Sequence, residues 1–180
     1  HLFRGKYADA KRPILINNWE ATYFNFNAEK LISIAKEAQN IGVDTFVLDD
    51  GWFLGRNGDN SSLGDWFVDE EKLGCSLNEL ITEINKLGMK FGLWFEPECI
   101  SENSQLYRAH PEWVLQAPDR KPMLGRKQWV IDMSNPEAVD GIFSMMADIL
   151  DNNNIEYIKW DFNRYLTDVY SHSLPAEKQG

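Results

Sequence analysis

The chain has 180 residues, 43% hydrophobic and 13% aromatic, a composition that excludes intrinsic disorder and suits one well-cored domain. A formal net charge of -10 with no local Lys/Arg cluster argues against nucleic acid or an anionic membrane as partner. No apolar run reaches the length of a membrane span, and two cysteines, Cys75 and Cys99, without metal-type spacing suggest neither a disulfide framework nor a zinc site, so a reducing, cytoplasmic setting is expected.

From His1 to Arg12 the chain is polar and irregular, with no signal-peptide organisation. Pro13-Ile14-Leu15-Ile16-Asn17-Asn18-Trp19-Glu20 then reads as a short apolar strand running into polar residues. From Asn27 onward, Leu31, Ile34, Ala35, Ala38 and Ile41 recur at helical spacing, and Gly42 stands where a helix stops. Val43-Asp44-Thr45-Phe46-Val47-Leu48 is a second strand, ending in Asp49-Asp50-Gly51-Trp52. A loop rich in Gly, Asn and Asp follows from Gly55 to about Gly64, a common place for site residues.

Ser76 and Glu79 form a capping box ahead of the stripe Leu77, Leu80, Ile81, Ile84 and Leu87, which Gly88 closes. The third strand, Met89-Lys90-Phe91-Gly92-Leu93-Trp94-Phe95, ends in Glu96-Pro97-Glu98. A short helix is expected between Ser101 and His110, before Pro111. Gln128-Trp129-Val130-Ile131-Asp132 supplies a fourth strand, and Asn135-Pro136 starts a helix whose buried stripe is read as Val139, Ile142, Phe143, Met146 and Leu150. The fifth strand, from Ile155 to Arg164, reads as buried and ends in charge.

Five strands separated by helices predict an α/β fold with a parallel sheet and right-handed crossovers. A Rossmann-type sheet would carry a Gly-rich phosphate turn where Asn17-Asn18-Trp19-Glu20 stands. A (β/α)8 TIM barrel fits better, with about the first five β/α units present. The expected organisation is an irregular lead-in at residues 1–12, a partial barrel over residues 13–170 and a polar tail at residues 171–180, at a truncation point within a larger enzyme. In such barrels chemistry gathers at C-terminal strand ends, where Trp19, Asp49, Asp50, Trp94, Glu96, Asp132, Lys159 and Asp161 fall.

On the last strand, Tyr157, Lys159, Asp161 and Asn163 share one face. Lys159 beside Asp161 predicts mutual compensation of charge and makes Asp161 a candidate nucleophile. A lone Lys-x-Asp is more often a structural ion pair, and Asp49-Asp50 alone fits a turn equally well; it is their repetition at successive strand ends that favours a site. Carboxylates, indoles and a few cations, without a phosphate loop, suit a neutral polyhydroxylated ligand. Asp49, Asp50, Glu96, Glu98, Asp132 and Asp161 could instead ligate magnesium or manganese. Lys159 among them would repel the ion, and His1, His110 and His172 all fall off the strand ends, so no metal and no other cofactor is expected.

Asp49-Asp50-Gly51-Trp52, Gly92-Leu93-Trp94-Phe95-Glu96-Pro97-Glu98, Gly125-Arg126 and Lys159-Trp160-Asp161-Phe162-Asn163-Arg164, in this order and spacing, resemble the catalytic-barrel motifs of glycoside hydrolase family thirty-six, the bacterial α-galactosidases. The resemblance spans almost the whole chain. It implies a retaining hydrolase of terminal α-galactosides of the melibiose and raffinose type, with Asp161 as nucleophile. Asp49 and Asp50 would hold galactose hydroxyls, Lys159, Arg126 and Asn163 would bind around the ring, and Trp19 and Trp94 would form apolar walls. Family members are often tetramers, which extends to the parent protein as an expectation. The acid/base residue comes in this family from a later strand. Glu96, Asp132 and Asp168 are internal candidates, none in the family's position, and Glu96 or Asp132 fits a buttress of the pocket floor better. The chain by itself is therefore expected to lack effective turnover. The alternatives are a carbohydrate-binding module without catalysis, and an α-N-acetylgalactosaminidase or galactosyl transferase on the same scaffold.

Overall fold

Apolar β-formers bounded by Gly and Asn produce four parallel strands in the order β1-β2-β3-β6 in the computed structural model, which describes Gly5 and residues 8–179. These are β1 (Leu15–Asn17), β2 (Thr45–Leu48), β3 (Lys90–Phe95) and β6 (Tyr157–Trp160). The expected lead-in lies outside the described residues at 1–4, 6 and 7, as does Gly180 at the end of the expected tail. Every residue of β2 is buried, as is all of β3 after Lys90, which is why both read as unbroken apolar runs.

The connections are helical. After β1 the chain enters a short helix α1 (Trp19–Thr22), so Trp19 and Glu20 belong to a helical turn and not to the expected strand. Helix α2 (Ala28–Asn40) is capped by Asn27, whose side chain accepts from the Lys30 N–H, and it buries Leu31, Ala35 and Ala38. Helix α3 (Glu70–Leu73) precedes α4 (Leu77–Lys86), where the Ser76–Glu79 capping box forms and Leu77, Leu80, Ile81 and Ile84 are buried. These side chains join Phe46, Leu48, Phe91 and Leu93 of the sheet in one core.

Two expectations need correction. Residues 128–132 do not add a parallel strand. Only β5 (Trp129–Val130) forms there, antiparallel to β4 (Cys99–Ile100) in a separate ribbon. The backbone groups of this segment are already used: Ile131 N–H donates to the Glu98 carbonyl and the Val130 carbonyl accepts from Leu115 N–H. No ladder is left for the main sheet, and β6 pairs directly with β3. The helix α6 (Pro136–Asn152) starts at Asn135-Pro136 as expected, yet its buried stripe is Ala138, Ile142, Met146 and Ile149. Val139 and Phe143 lie on the neighbouring stripe and are exposed. The helix is turned so that Gly141 sits against Trp113, where an added Cβ would meet the indole at 2.5 Å.

Strand β6 is also not buried on both faces. Ile158 and Trp160 are 39% and 55% exposed, because β6 is the last strand of the described sheet and has a neighbour on one side only. The short helix α5 (Gln105–Ala109), capped by Ser104, and a 3-10 turn at Pro111–Trp113 lie between the two strands of the ribbon. Beyond β6, Ser171 is buried against Asp132 and a 3-10 turn forms at Ala176–Lys178, while most of the tail stays exposed.

Candidate active site

Register decides which side chains meet. Asn17, Val47, Gly92 and Tyr157 stand opposite one another across the four strands, and side chains in one row of a sheet share a face. Two residues further along, the same register sets Asp49, Trp94 and Lys159 in one row, with Trp94 opposite Lys159. Glu96 and Asp161 come one row later. Gly92 permits this close approach: a Cβ there would lie 3.0 Å from both the Tyr157 Cβ and a Val47 methyl.

All eight residues selected from sequence line one hollow of about 200 Å³: Trp19, Asp49, Asp50 and Trp94 on one part of its wall, Arg126, Lys159, Asp161 and Asn163 on the rest. Their pairing differs from expectation. Lys159 Nζ donates to Asp49 Oδ2 at 2.7 Å, across two strand spacings, instead of compensating Asp161. Asp161 stands one row higher, where other donors serve it: Asn163 Nδ2 at 2.7 Å and Trp94 Nε1 at 3.1 Å reach Oδ2, and the Phe162 N–H reaches Oδ1. Trp94 is thus a hydrogen-bond donor to the carboxylate as well as a wall, its ring lying parallel to Phe53 in the core.

The two adjacent aspartates have separate supports. Asp49 takes the Asp50 N–H on its second oxygen, and its own N–H donates to Asn18 Oδ1 at 2.9 Å, tying the end of β2 to the end of β1. Asp50 is gripped by Arg56, which donates from Nε to Oδ1 at 3.0 Å and from Nη2 to Oδ2 at 2.8 Å. Burial pushes the Asp50 carboxyl above the usual carboxylate range, with Asp49 adding to the effect and Arg56 opposing it. Gly51 turns the chain sharply here at φ 105, where a Cβ would strike the Phe24 ring at 2.9 Å.

Glu96, also in the wall, is raised by burial against hydrogen bonds from Asn163. It accepts the Asn163 N–H at 2.8 Å, so it orients the residue that in turn donates to Asp161. Asp132 is no part of the pocket. Its carboxylate is the acceptor for the hydroxyls of Ser134, Ser171 and Ser173. Burial alone would raise it, and these hydrogen bonds leave it below the ordinary range. Asp168 faces Arg120 at 3.7 Å and likewise stands outside the pocket.

Arg126 reaches the pocket from a tight hairpin turn, Gly125 to Gln128, in which Arg126 and Lys127 both have positive φ. A left-handed backbone at a side-chain-bearing residue costs on the order of 1–2 kcal/mol. Arg164 fastens the turn, donating to the Met123 and Gln128 carbonyls. Sequence reasoning missed Arg56, Asp59, Phe24 and Gln128, which also line the hollow. Arg56 and Asp59 lie in the Gly/Asn/Asp-rich loop singled out as a site feature, but no motif marks them. Among the described residues, no group of three or more His, Cys, Asp or Glu side chains is arranged to hold a metal ion, and no helix is long and apolar enough to cross a membrane.

The chain is similar to known proteins over nearly its whole length. The chain is 50% identical over 179 residues to alpha-galactosidase Mel36A of Lactobacillus acidophilus, covering 99% of this chain and 24% of that protein. It is 51% identical to the bifunctional alpha-galactosidase/sucrose kinase AgaSK of Mediterraneibacter gnavus, covering 97% of this chain and 19% of that protein. The crystal structure of the GH36 alpha-galactosidase AgaB from Geobacillus stearothermophilus superposes with a TM-score of 0.93 at 51% identity, covering 98% of this chain and 24% of that one. The chain therefore spans about a fifth to a quarter of the length of these relatives. With the Melibiase family model matching residues 1–180 from end to end, the chain belongs to the Melibiase family.

Proposed function

We propose that the hollow binds the terminal galactose of an α-galactoside and that Asp161 attacks its anomeric carbon. The observation that carries this reading is the convergence of the Asp49–Asp50 pair, an indole-braced third carboxylate and the cations Arg56, Arg126 and Lys159 in a space suited to one sugar ring. The relatives named above are alpha-galactosidases, and a doubly substituted variant of the Geobacillus stearothermophilus relative AgaA, 49% identical to this chain, has been solved in complex with raffinose.

In this mechanism an Asp161 oxygen bonds to the anomeric carbon as the bond to the aglycone oxygen breaks. The aglycone oxygen takes a proton from a second carboxyl group. Water then attacks the same carbon, gives its proton to that group, and frees Asp161, so two inversions leave the configuration retained. The positive charge developing on the ring is stabilised by the Asp161 carboxylate, which Trp94 and Asn163 keep aimed. Asp49 and Asp50 accept hydroxyl protons away from the reacting carbon.

The second carboxyl of a retaining pair stands about 5–5.5 Å from the first. The family resemblance assigns it to a later strand. The four parallel strands are accordingly the opening part of a (β/α)8 barrel over residues 13–170, and residues 1–180 alone do not turn over substrate. In the full-length protein, Asp161→Gly lowers release of nitrophenol from p-nitrophenyl α-galactoside by about four orders of magnitude or more. Azide restores part of it by filling the vacated space and forming the β-galactosyl azide. Near wild-type release by the variant, or galactose binding with no hydrolysis by the wild type, overturns the mechanism.

A further inference from the structure

The ion pair in the hollow with both side chains buried belongs to a residue for which the galactoside reading has no use. Arg56 is 2% exposed, and its guanidinium lies over the Phe24 and Phe53 rings, 5.7 and 5.8 Å from their centroids. Its Nε and Nη2 form two hydrogen bonds to the two oxygens of Asp50, and Nη1 donates to the Ser61 carbonyl at 2.9 Å. Behind it, Lys72 Nζ donates to the Gly51 carbonyl at 2.7 Å and to the Arg56 carbonyl at 3.1 Å, with its ammonium over the Phe26 ring. Both ends of the segment that joins Asp50 to Arg56 are therefore held by a second cation.

We propose that Arg56 is a positioning residue of the sugar site, fixing the Asp50 carboxylate in one orientation so that a remaining lone pair faces a substrate hydroxyl. This rests on the galactoside reading of the pocket. A carboxylate offers about four acceptor positions, and the fork uses one per oxygen, leaving acceptors while removing rotational freedom. A buried ion pair is a poor way to gain stability, since apolar side chains of equal volume serve as well. Its placement on a pocket carboxylate points to orientation. Lysine keeps the charge and loses the planar fork, so it separates the two roles.

The test is a double-mutant cycle in the full-length protein, with Arg56→Lys, Asp50→Asn and their combination assayed on p-nitrophenyl α-galactoside. Arg56→Lys raises KM about tenfold or more while kcat stays within about threefold, the signature of lost substrate orientation. In the Asp50→Asn background the same change alters kcat/KM by no more than about twofold. Should Arg56→Lys not fold, Arg56→Gln, which keeps neutral donors, is read by the same ratios. An unchanged KM, or an equal loss in both backgrounds, overturns the role of Arg56 and leaves the galactosidase reading standing. Wild-type protein that neither hydrolyses the substrate nor binds galactose overturns both.

Discussion

Asp49 and Asp50 are chain neighbours, yet one leans on Lys159 from the far strand and the other on Arg56 from its own loop. That division was only half legible in the sequence. The Asp-Asp-Gly-Trp segment announces a strand-end carboxylate pair, and period-two alternation puts Lys159 on the pocket face. It cannot say whether a lysine serves the aspartate two positions on or the one across the sheet, because that depends on register. The consequence for pH follows from Asp50. Burial raises its carboxyl, and the charges facing it are Asp49, Arg56 and Lys72. A raised carboxyl takes up its proton at higher pH than an ordinary one as pH falls, and a protonated Asp50 accepts sugar hydroxyls poorly. The acid limb of kcat/KM, which reports the free enzyme, should therefore lie above the usual carboxylate range. A limb at or below that range contradicts the assignment of Asp50 to substrate binding.

At the scale of elements, the strand row containing Gly92 sets the spacing of the row above it. β2, β3 and β6 approach closely because Gly92 leaves its place between Val47 and Tyr157 empty. Gly92→Ala must push a methyl group into backbone and side chain at once, an overpacking that costs about 1–3 kcal/mol. A lowered unfolding midpoint, together with a raised KM as Trp94 and Lys159 shift, is the expected result in the full-length protein. A variant with unchanged midpoint and KM would show that the row spacing does not matter. Strands β1, β2, β3 and β6 were legible because apolar runs between helix stop and start signals leave few other readings. The ribbon was not. Trp129-Val130-Ile131 has the same β-forming composition as a sheet strand, and only the competition for its backbone hydrogen bonds from residues 98–100 and 115 assigns it elsewhere. The α6 stripe was misread for a similar reason: Val139 and Phe143 carry helical period as well as Ala138 and Ile142 do, and it is Trp113 against Gly141 that sets the rotation.

Across the whole molecule, chemistry collects at one end of the parallel sheet while apolar side chains remain open along its margins. Ile14 and Leu15 by β1, and Ile158, Trp160 and Phe162 along β6, are all more than a third exposed. The proposed barrel would cover these edges with its further strands, and the chain spans about a quarter of the length of relatives such as Mel36A. Under the proposed mechanism, the proton donor is the one catalytic group this pocket wall does not supply. The decisive measurement is mass spectrometry of the full-length protein after reaction with a fluorinated α-galactoside that forms its glycosyl-enzyme quickly and hydrolyses slowly. A single added fluorogalactosyl group on the peptide containing Asp161, lost in Asp161→Gly, is the predicted result. Labelling of another carboxylate, or turnover without a covalent intermediate and with inversion, would contradict it.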